Sequence, residues 1–204
     1  KLNCNGATID GENSAGSIGV LLTSKKTELK NVRIENCKII NFKGNGIRIT
    51  SGLPINKLSD SKSNNYNNAP SEITISNVQI INTGKVGVYI DSYVTKSLLT
   101  DSLIKNSGMS GVYLEQATRN NVIKNNKIIN NGGARTGLAS REGISVDSSA
   151  YNEITDNYFK DNAAGGIFLY KNCGEKIHSG KSKIRWQHSD NNNIVNNVFV
   201  NEPV

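Results

Sequence analysis

The stretch "NNVIKNNKIINNGG", residues 120–133, decides how this chain folds. Asparagine is a poor strand former and an indifferent helix former, yet here it punctuates short runs of Val and Ile. Its core, "IKNNKIIN" (123–130), is one line of a repeat. The other lines are "IENCKIIN" (34–41), "ISNVQIIN" (75–82), "LTDSLIKN" (99–106), "ITDNYFKD" (154–161) and "IVNNVFVN" (194–201). The third position reads Asn36, Asn77, Asp101, Asn125, Asp156 and Asn196, and the eighth reads Asn41, Asn82, Asn106, Asn130, Asp161 and Asn201.

A second block follows each of the first five lines: "GIRIT" (46–50), "GVYID" (87–91), "GVYLE" (111–115), "GISVD" (143–147) and "GIFLY" (166–170). "GVLLT" (19–23) is the same block in an earlier, irregular unit. Ile75 to Leu99 and Leu99 to Ile123 are both separations of 24 residues, and longer separations elsewhere arise from insertions at defined points. Each unit holds short alternating segments between Asn or Gly, a pattern that reads as strands. One unit has too little apolar surface for a core, so units must stack. Asn accepts the left-handed conformation of tight corners, and its amide can bond the Asn one coil above or below. A leucine-rich repeat also carries an Asn column, but its L-x-x-L-x-L pattern is missing here.

This pattern resembles the right-handed parallel β-helix of the pectate-lyase-like superfamily of polysaccharide-active proteins, over most of residues 19–201. The expected fold is all-β, a solenoid of about six to seven coils of roughly 24 residues. It is read as a single domain over residues 1–204. Both ends read as open: the chain stops at "NVFVNEPV" in mid-coil and nothing at Lys1 reads as a capping helix. The chain is therefore expected to be a piece of a longer protein.

Composition bounds the partner. The chain is 36% hydrophobic and 20% charged, with a formal net charge of +7, which favours an anionic partner. No apolar run has membrane-spanning length. Nucleic acid is disfavoured because the positive charges do not form a stripe. Cys4, Cys37 and Cys173 lack metal-ligand spacing and leave one cysteine unpaired at best, so neither a zinc site nor a disulfide framework is expected.

In "GVYID", Val88 and Ile90 point inward, so Tyr89 and Asp91 point outward. The same register elsewhere gives two exterior columns. One reads Leu21, Arg48, Tyr89, Tyr113, Ser145, Phe168, and the other Thr23, Thr50, Asp91, Glu115, Asp147, Tyr170. Adjacent coils lie about 4.8 Å apart, so Asp91, Glu115 and Asp147 form a carboxylate ladder. Such a ladder shares a proton, binds a cation such as Ca²⁺, or pairs with Lys and Arg. Insertions at 53–70, 132–142 and 174–190 all flank this strand stack, as the walls of a groove do. They bring His178, Arg185, Trp186 and His188 to one side and Arg135, Arg141 and Glu142 to the other, with Lys171, Cys173 and Glu175 at a loop entrance.

The resemblance implies an acidic polysaccharide lying in this groove, modified by a lyase or C5-epimerase through proton abstraction. Glu115, Asp147, Arg141, His188 and Tyr170 are the catalytic candidates. Arg48, Tyr89, Asp91, Tyr113 and Phe168 are the binding candidates on the strands, with Glu142, Lys171, His178, Arg185 and Trp186 beside them. Arg141 or Arg185 would neutralise the uronate carboxylate, and His188 or Tyr170 would take the proton. A hydrolase would instead use two of the ladder carboxylates, with Asp91 and Asp147 about 9.6 Å apart by rung spacing. The third reading is a non-catalytic module, such as an adhesin or phage fibre segment. No active-site motif of the superfamily can be matched residue by residue. An extracellular, periplasmic or virion-surface location goes with all three readings.

Overall fold

The computed structural model describes residues 1–24, 27–54, 57–58, 61, 63–133, 141–171 and 184–203. Each coil contributes one strand to each of three parallel sheets. The first coil carries β1 (Leu2–Asn3), β2 (Thr8–Asp10) and β3 (Val20–Thr23); the second carries β4 (Arg33–Glu35), β5 (Lys38–Ile40) and β6 (Ile47–Thr50). The third has β7 (Thr74–Ser76), β8 (Gln79–Ile81) and β9 (Val88–Asp91), and the fourth β10 (Leu98–Thr100), β11 (Leu103–Lys105) and β12 (Val112–Glu115). The fifth has β13 (Val122–Lys124), β14 (Lys127–Ile129) and β15 (Ile144–Asp147), and the sixth β16 (Glu153–Thr155), β17 (Tyr158–Lys160) and β18 (Ile167–Tyr170). Strands β19 (Asn193–Val195) and β20 (Val198–Val200) close the series. The first two sheets have seven strands each and the third has six, in an order that steps up one coil at a time. A single helical turn, α1 (Asn64–Asn67), interrupts the insertion after β6. No helix among the described residues is long and apolar enough to cross a membrane.

Strand length follows from how much each side buries. Strands of the first two sheets turn one residue inward, and Ile34, Ile75, Leu99, Ile123 and Ile154 stack in register at 0–1% exposure. Third-sheet strands turn two residues inward, as with Val88 and Ile90 of β9. Each such buried aliphatic side chain contributes about 1.5–3 kcal/mol. A glycine precedes the third-sheet strands because the coils close tightly there. A Cβ on Gly87 would lie 2.6 Å from the Gly111 carbonyl oxygen and 2.5 Å from Cγ2 of Ile104.

The asparagines do what the repeat requires. All twelve residues of the two Asn/Asp columns have φ between 51° and 58°, where Asn is tolerated and most side chains are not. On the outside they form amide ladders: Asn130 Nδ2 donates to Asn106 Oδ1 at 2.7 Å, and Asn106 Nδ2 to Asn82 Oδ1 at 3.0 Å. A further set lies inside and was not anticipated. Asn121, Asn126 and Asn131 are 1% exposed, and each follows one of the left-handed asparagines. Asn126 Oδ1 accepts from the Ser102 amide at 3.1 Å, while its Nδ2 donates to the Leu99 carbonyl and to Asn157 Oδ1 at 3.0 Å. These side chains satisfy corner backbone groups that the strands leave unpaired.

The cysteine expectation needs one correction. Cys4 and Cys37 form a disulfide with Cα atoms 4.8 Å apart. The spacing in sequence carries no sign of it, because coil stacking is what brings the two together. Cys173 lies outside the described residues.

Candidate functional site

Backbone pairing places the two exterior columns on one face of the third sheet. Arg48 is opposite Tyr89, Tyr89 opposite Tyr113, Tyr113 opposite Ser145, and Ser145 opposite Phe168. Thr50 is opposite Asp91, Glu115 opposite Asp147, and Asp147 opposite Tyr170. The Tyr89 and Tyr113 rings stack at 5.4 Å with an interplanar angle of 27°, and the Arg48 guanidinium lies 5.0 Å from the Tyr89 ring centre.

The carboxylates are engaged by cations and phenols. Arg48 donates twice to Asp91 Oδ2, from Nε at 3.0 Å and from Nη2 at 2.8 Å, while Asp91 Oδ1 is buried without a partner among the described residues. Arg185 comes from the loop before β19 and lies across two rungs. Its Nη2 donates to Glu115 Oε1, and its Nη1 is 2.7 Å from Asp147 Oδ2, an ion pair not aligned as a hydrogen bond. Tyr89 Oη donates to Glu115 Oε2, and Tyr113 Oη donates to Asp147 Oδ2 at 2.9 Å. Beside them Glu142, 3% exposed, accepts from Ser145 Oγ and from Tyr170 Oη at 3.2 Å, and Ser110 Oγ contacts Ser145 Oγ.

Burial dominates the electrostatics. It holds the Glu115 carboxyl above its usual range, against the opposing pull of Arg185 and Tyr89. Burial, then the carboxylates around them, push the Tyr89 and Tyr113 phenols far up, and burial also raises Tyr170. For Arg185 burial works against the charge, but Glu115 and Asp147 outweigh it and raise its affinity for the proton. The phenols are therefore neutral donors, and the guanidinium is a permanent cation.

The ladder carboxylates already have cationic partners in Arg48 and Arg185. Calcium takes about 6–8 oxygen ligands, and no group of three His, Cys, Asp or Glu among the described residues is placed to hold a metal. Arg48 and Arg185 stand where such an ion would neutralise the ladder.

Other predicted residues fall elsewhere. His188 Nε2 contacts Lys171 Nζ at 3.1 Å, apart from the ladder contacts. Arg141 keeps its backbone in the corner before β15, and its buried Nε has no partner among the described residues. Phe168 is 44% exposed on the outer face. Trp186 packs against Tyr93, Ala117 and Ala69, and its Nε1 donates to Tyr93 Oη at 3.3 Å. That oxygen donates in turn to the Leu58 carbonyl at 2.9 Å, so residues of two insertions meet over one corner. His178, Arg135 and Glu175 lie outside the described residues. Ser110, Tyr93 and Gln116 join these networks without having been singled out in the sequence, because Ser and Gln carry no strand-face signature of their own.

Three stacked parallel sheets joined by left-handed corners define a parallel β-helix. The chain belongs to the family described as right handed beta helix region, which matches over residues 56–202. No curated protein matches it in sequence. Two solved structures share the fold. The Azotobacter vinelandii mannuronan C-5 epimerase AlgE4 A-module aligns with a TM-score of 0.59 at 15% identity, covering 90% of this chain and 44% of that one. The A-module of the AlgE6 mannuronan C-5 epimerase from the same organism aligns at 0.53 and 15%, covering 92% and 49%. The chain thus spans less than half the length of either module.

Proposed function

We propose that the outer face of the third sheet binds an acidic polysaccharide and that the chain modifies it, as a lyase or C5-epimerase acting by proton abstraction. One observation carries this reading: cations, buried carboxylates and neutral phenols converge on a single strip parallel to the solenoid axis. An extended glycan can follow such a strip, with sugar rings against Tyr89, Tyr113 and Phe168. Arg48 is 37% exposed at its side chain and is the group best placed to meet a uronate carboxylate. Glu115 is the base: it lies among the phenols and Arg185 on this face, and burial raises its proton affinity above the ordinary carboxylate range. Tyr113 and Tyr170, kept protonated, are donors on the same face. This replaces Tyr170 as a base, and His188 with Lys171 is left as a rim contact for substrate. The names of the two structurally similar epimerase modules agree with the reading, at an identity that speaks for fold only.

The hydrolase reading is weakened by Arg185, whose guanidinium sits between Glu115 and Asp147 where a glycosidic bond would have to lie. The same saturation favours, as a second reading, a glycan-binding face without turnover. Incubation with alginate, pectate and glycosaminoglycans in D₂O separates them. Deuterium entering the uronate, with or without absorbance from unsaturated chain ends, supports proton abstraction. New reducing ends without either supports hydrolysis, and retention of polymer alone leaves binding. No effect on any of these polymers overturns the proposal.

A further inference from the structure

The corner between the third sheet and the next coil's first sheet breaks the Asn rule. Its left-handed column reads Asn31, Glu72, Lys96, Asn120, Tyr151 and Asn191, with φ between 53° and 58°. At the other two corners the corresponding residue is Asn or Asp in all twelve cases. A residue such as Lys or Glu in this conformation costs about 1–2 kcal/mol, and departures of this kind concentrate where function requires them.

Glu72 and Lys96 line a cavity of about 280 Å³, just below the lower end of the ~300–1,000 Å³ range of ligand sites. Helix α1 of the insertion after β6 supplies one wall through Tyr66. Three polar atoms on the lining residues are buried without a partner among the described residues: Tyr66 Oη, Ser71 Oγ and Arg119 Nε. Ser71 is 6% exposed, and burial pushes the Tyr66 phenol up to about 12. Arg119 lies 3.8 Å from the Tyr66 ring centre. Orphaned buried donors are uncommon in native proteins and call for a partner. Among the lining charges, Lys30 is paired with Glu28 and also feels the Glu72 carboxylate, whereas Arg119 and Lys96 make no ion pair among the described residues.

We propose that this cavity binds a hydroxylated carboxylate the size of one uronic acid residue. Arg119 and Lys96 take the carboxylate, and Ser71, Tyr66 and Thr95 meet the hydroxyls. A free sugar acid and the end of an acidic glycan share this chemistry. The site is separate from the third-sheet strip and stands without it.

The sole tryptophan provides the readout, because Trp186 bonds to Tyr93, whose ring meets Tyr66 edge-on at 5.0 Å. D-glucuronate should change Trp186 fluorescence saturably and give calorimetric binding that weakens with Arg119→Gln, while D-glucose and inorganic phosphate should not compete. A tetra-uronate whose binding weakens with Arg119→Gln identifies a chain end as the ligand, and one whose binding is indifferent to Arg119→Gln identifies the free acid. Arg119→Gln should weaken glucuronate binding by about tenfold or more, the loss expected for one charge-assisted contact. Lys96→Asn restores the preferred corner residue, so its melting temperature should hold or rise while binding weakens. Arg119→Gln should leave deuterium entry into a polyuronate unchanged, which keeps this test apart from that of the third-sheet strip. Absence of glucuronate binding, binding indifferent to both cavity variants, or displacement by phosphate overturns the assignment.

Discussion

At the scale of single residues, Arg185 decides how the ladder behaves. Its side chain is 13% exposed and serves two carboxylates at 15% and 0% exposure. Removing the cation strands both charges, and breaking a buried pair in this way costs about 3–5 kcal/mol. The sign of the pH dependence follows from Glu115, whose folded value lies above 4.5 because burial disfavours its charge. A group raised on folding stabilises fully below its unfolded value, and that stability is lost as pH climbs through the folded value. Arg185→Ala raises Glu115 further, so its melting temperature should fall well below the parent's at neutral pH and approach it as pH drops toward 4.5. Equal deficits at both pH values would mean that charge is not what holds the loop. Glu115→Gln should lose turnover while shifting stability by no more than about 1 kcal/mol, since Arg185 keeps Asp147. The left-handed asparagines make a second case. Asn106→Ala forces a Cβ-bearing residue without an amide into φ 56° and should cost about 1–2 kcal/mol more than Asn106→Gly, measured by denaturant melts. The outer asparagines were legible because six aligned lines repeat them. Arg185 was not placed by any register, since it sits in an insertion 70 residues from Glu115, where no periodicity points a side chain anywhere.

At the scale of elements, the third sheet was the most readable part of the chain. Period-2 alternation in "GVYID" assigns inside and outside without reference to any other strand, and the paired register places Tyr89 over Tyr113 as that alternation requires. The corners were less readable, because alternation stops where the chain turns. Asn121, Asn126 and Asn131 look like their left-handed neighbours in the sequence, yet they face inward and complete backbone hydrogen bonds. Glu72, Lys96 and Tyr151 hid a corner column altogether by departing from Asn. The glycines that open the third-sheet strands carry a direct test of the close approach. Gly87→Ala puts a methyl 2.5 Å from Ile104 Cγ2 and 2.6 Å from a backbone oxygen that cannot swing aside. The coil has to open, at about 1–3 kcal/mol for overpacking of this kind, and amide exchange should quicken in β9 and β12 before other strands. Unchanged protection there would show that the coils tolerate more separation than the stacking implies.

At the scale of the whole molecule, a solenoid has no single core whose loss unfolds everything. The strands of each coil pair only with those of the coils next to it, while the insertions reach further through Leu58 and Arg185. Strand stability is therefore close to a sum of local contributions and interfaces. The first coil is the thinnest: both residues of β1 are exposed, and β2 buries only its middle position, Ile9, and that one partly. The Cys4–Cys37 crosslink joins this coil to the second across a separation of 33 residues. Closing a loop of this length lowers the entropy of the unfolded chain by an amount worth between about 3 and 4.7 kcal/mol. In a globular domain that gain would be shared by the whole fold. Here it should belong to the first coil, because strands several coils away make no contact with it. Reduction followed by alkylation should therefore raise amide exchange in β1, β2 and β3 to near the unstructured rate. Exchange in β10 to β15 should stay where it was, and the main melting transition should move by only a few degrees. If reduction instead collapses protection throughout, the coils are coupled over distances that nearest-neighbour stacking does not reach, and the local logic applied to the corners and the ladder fails with it.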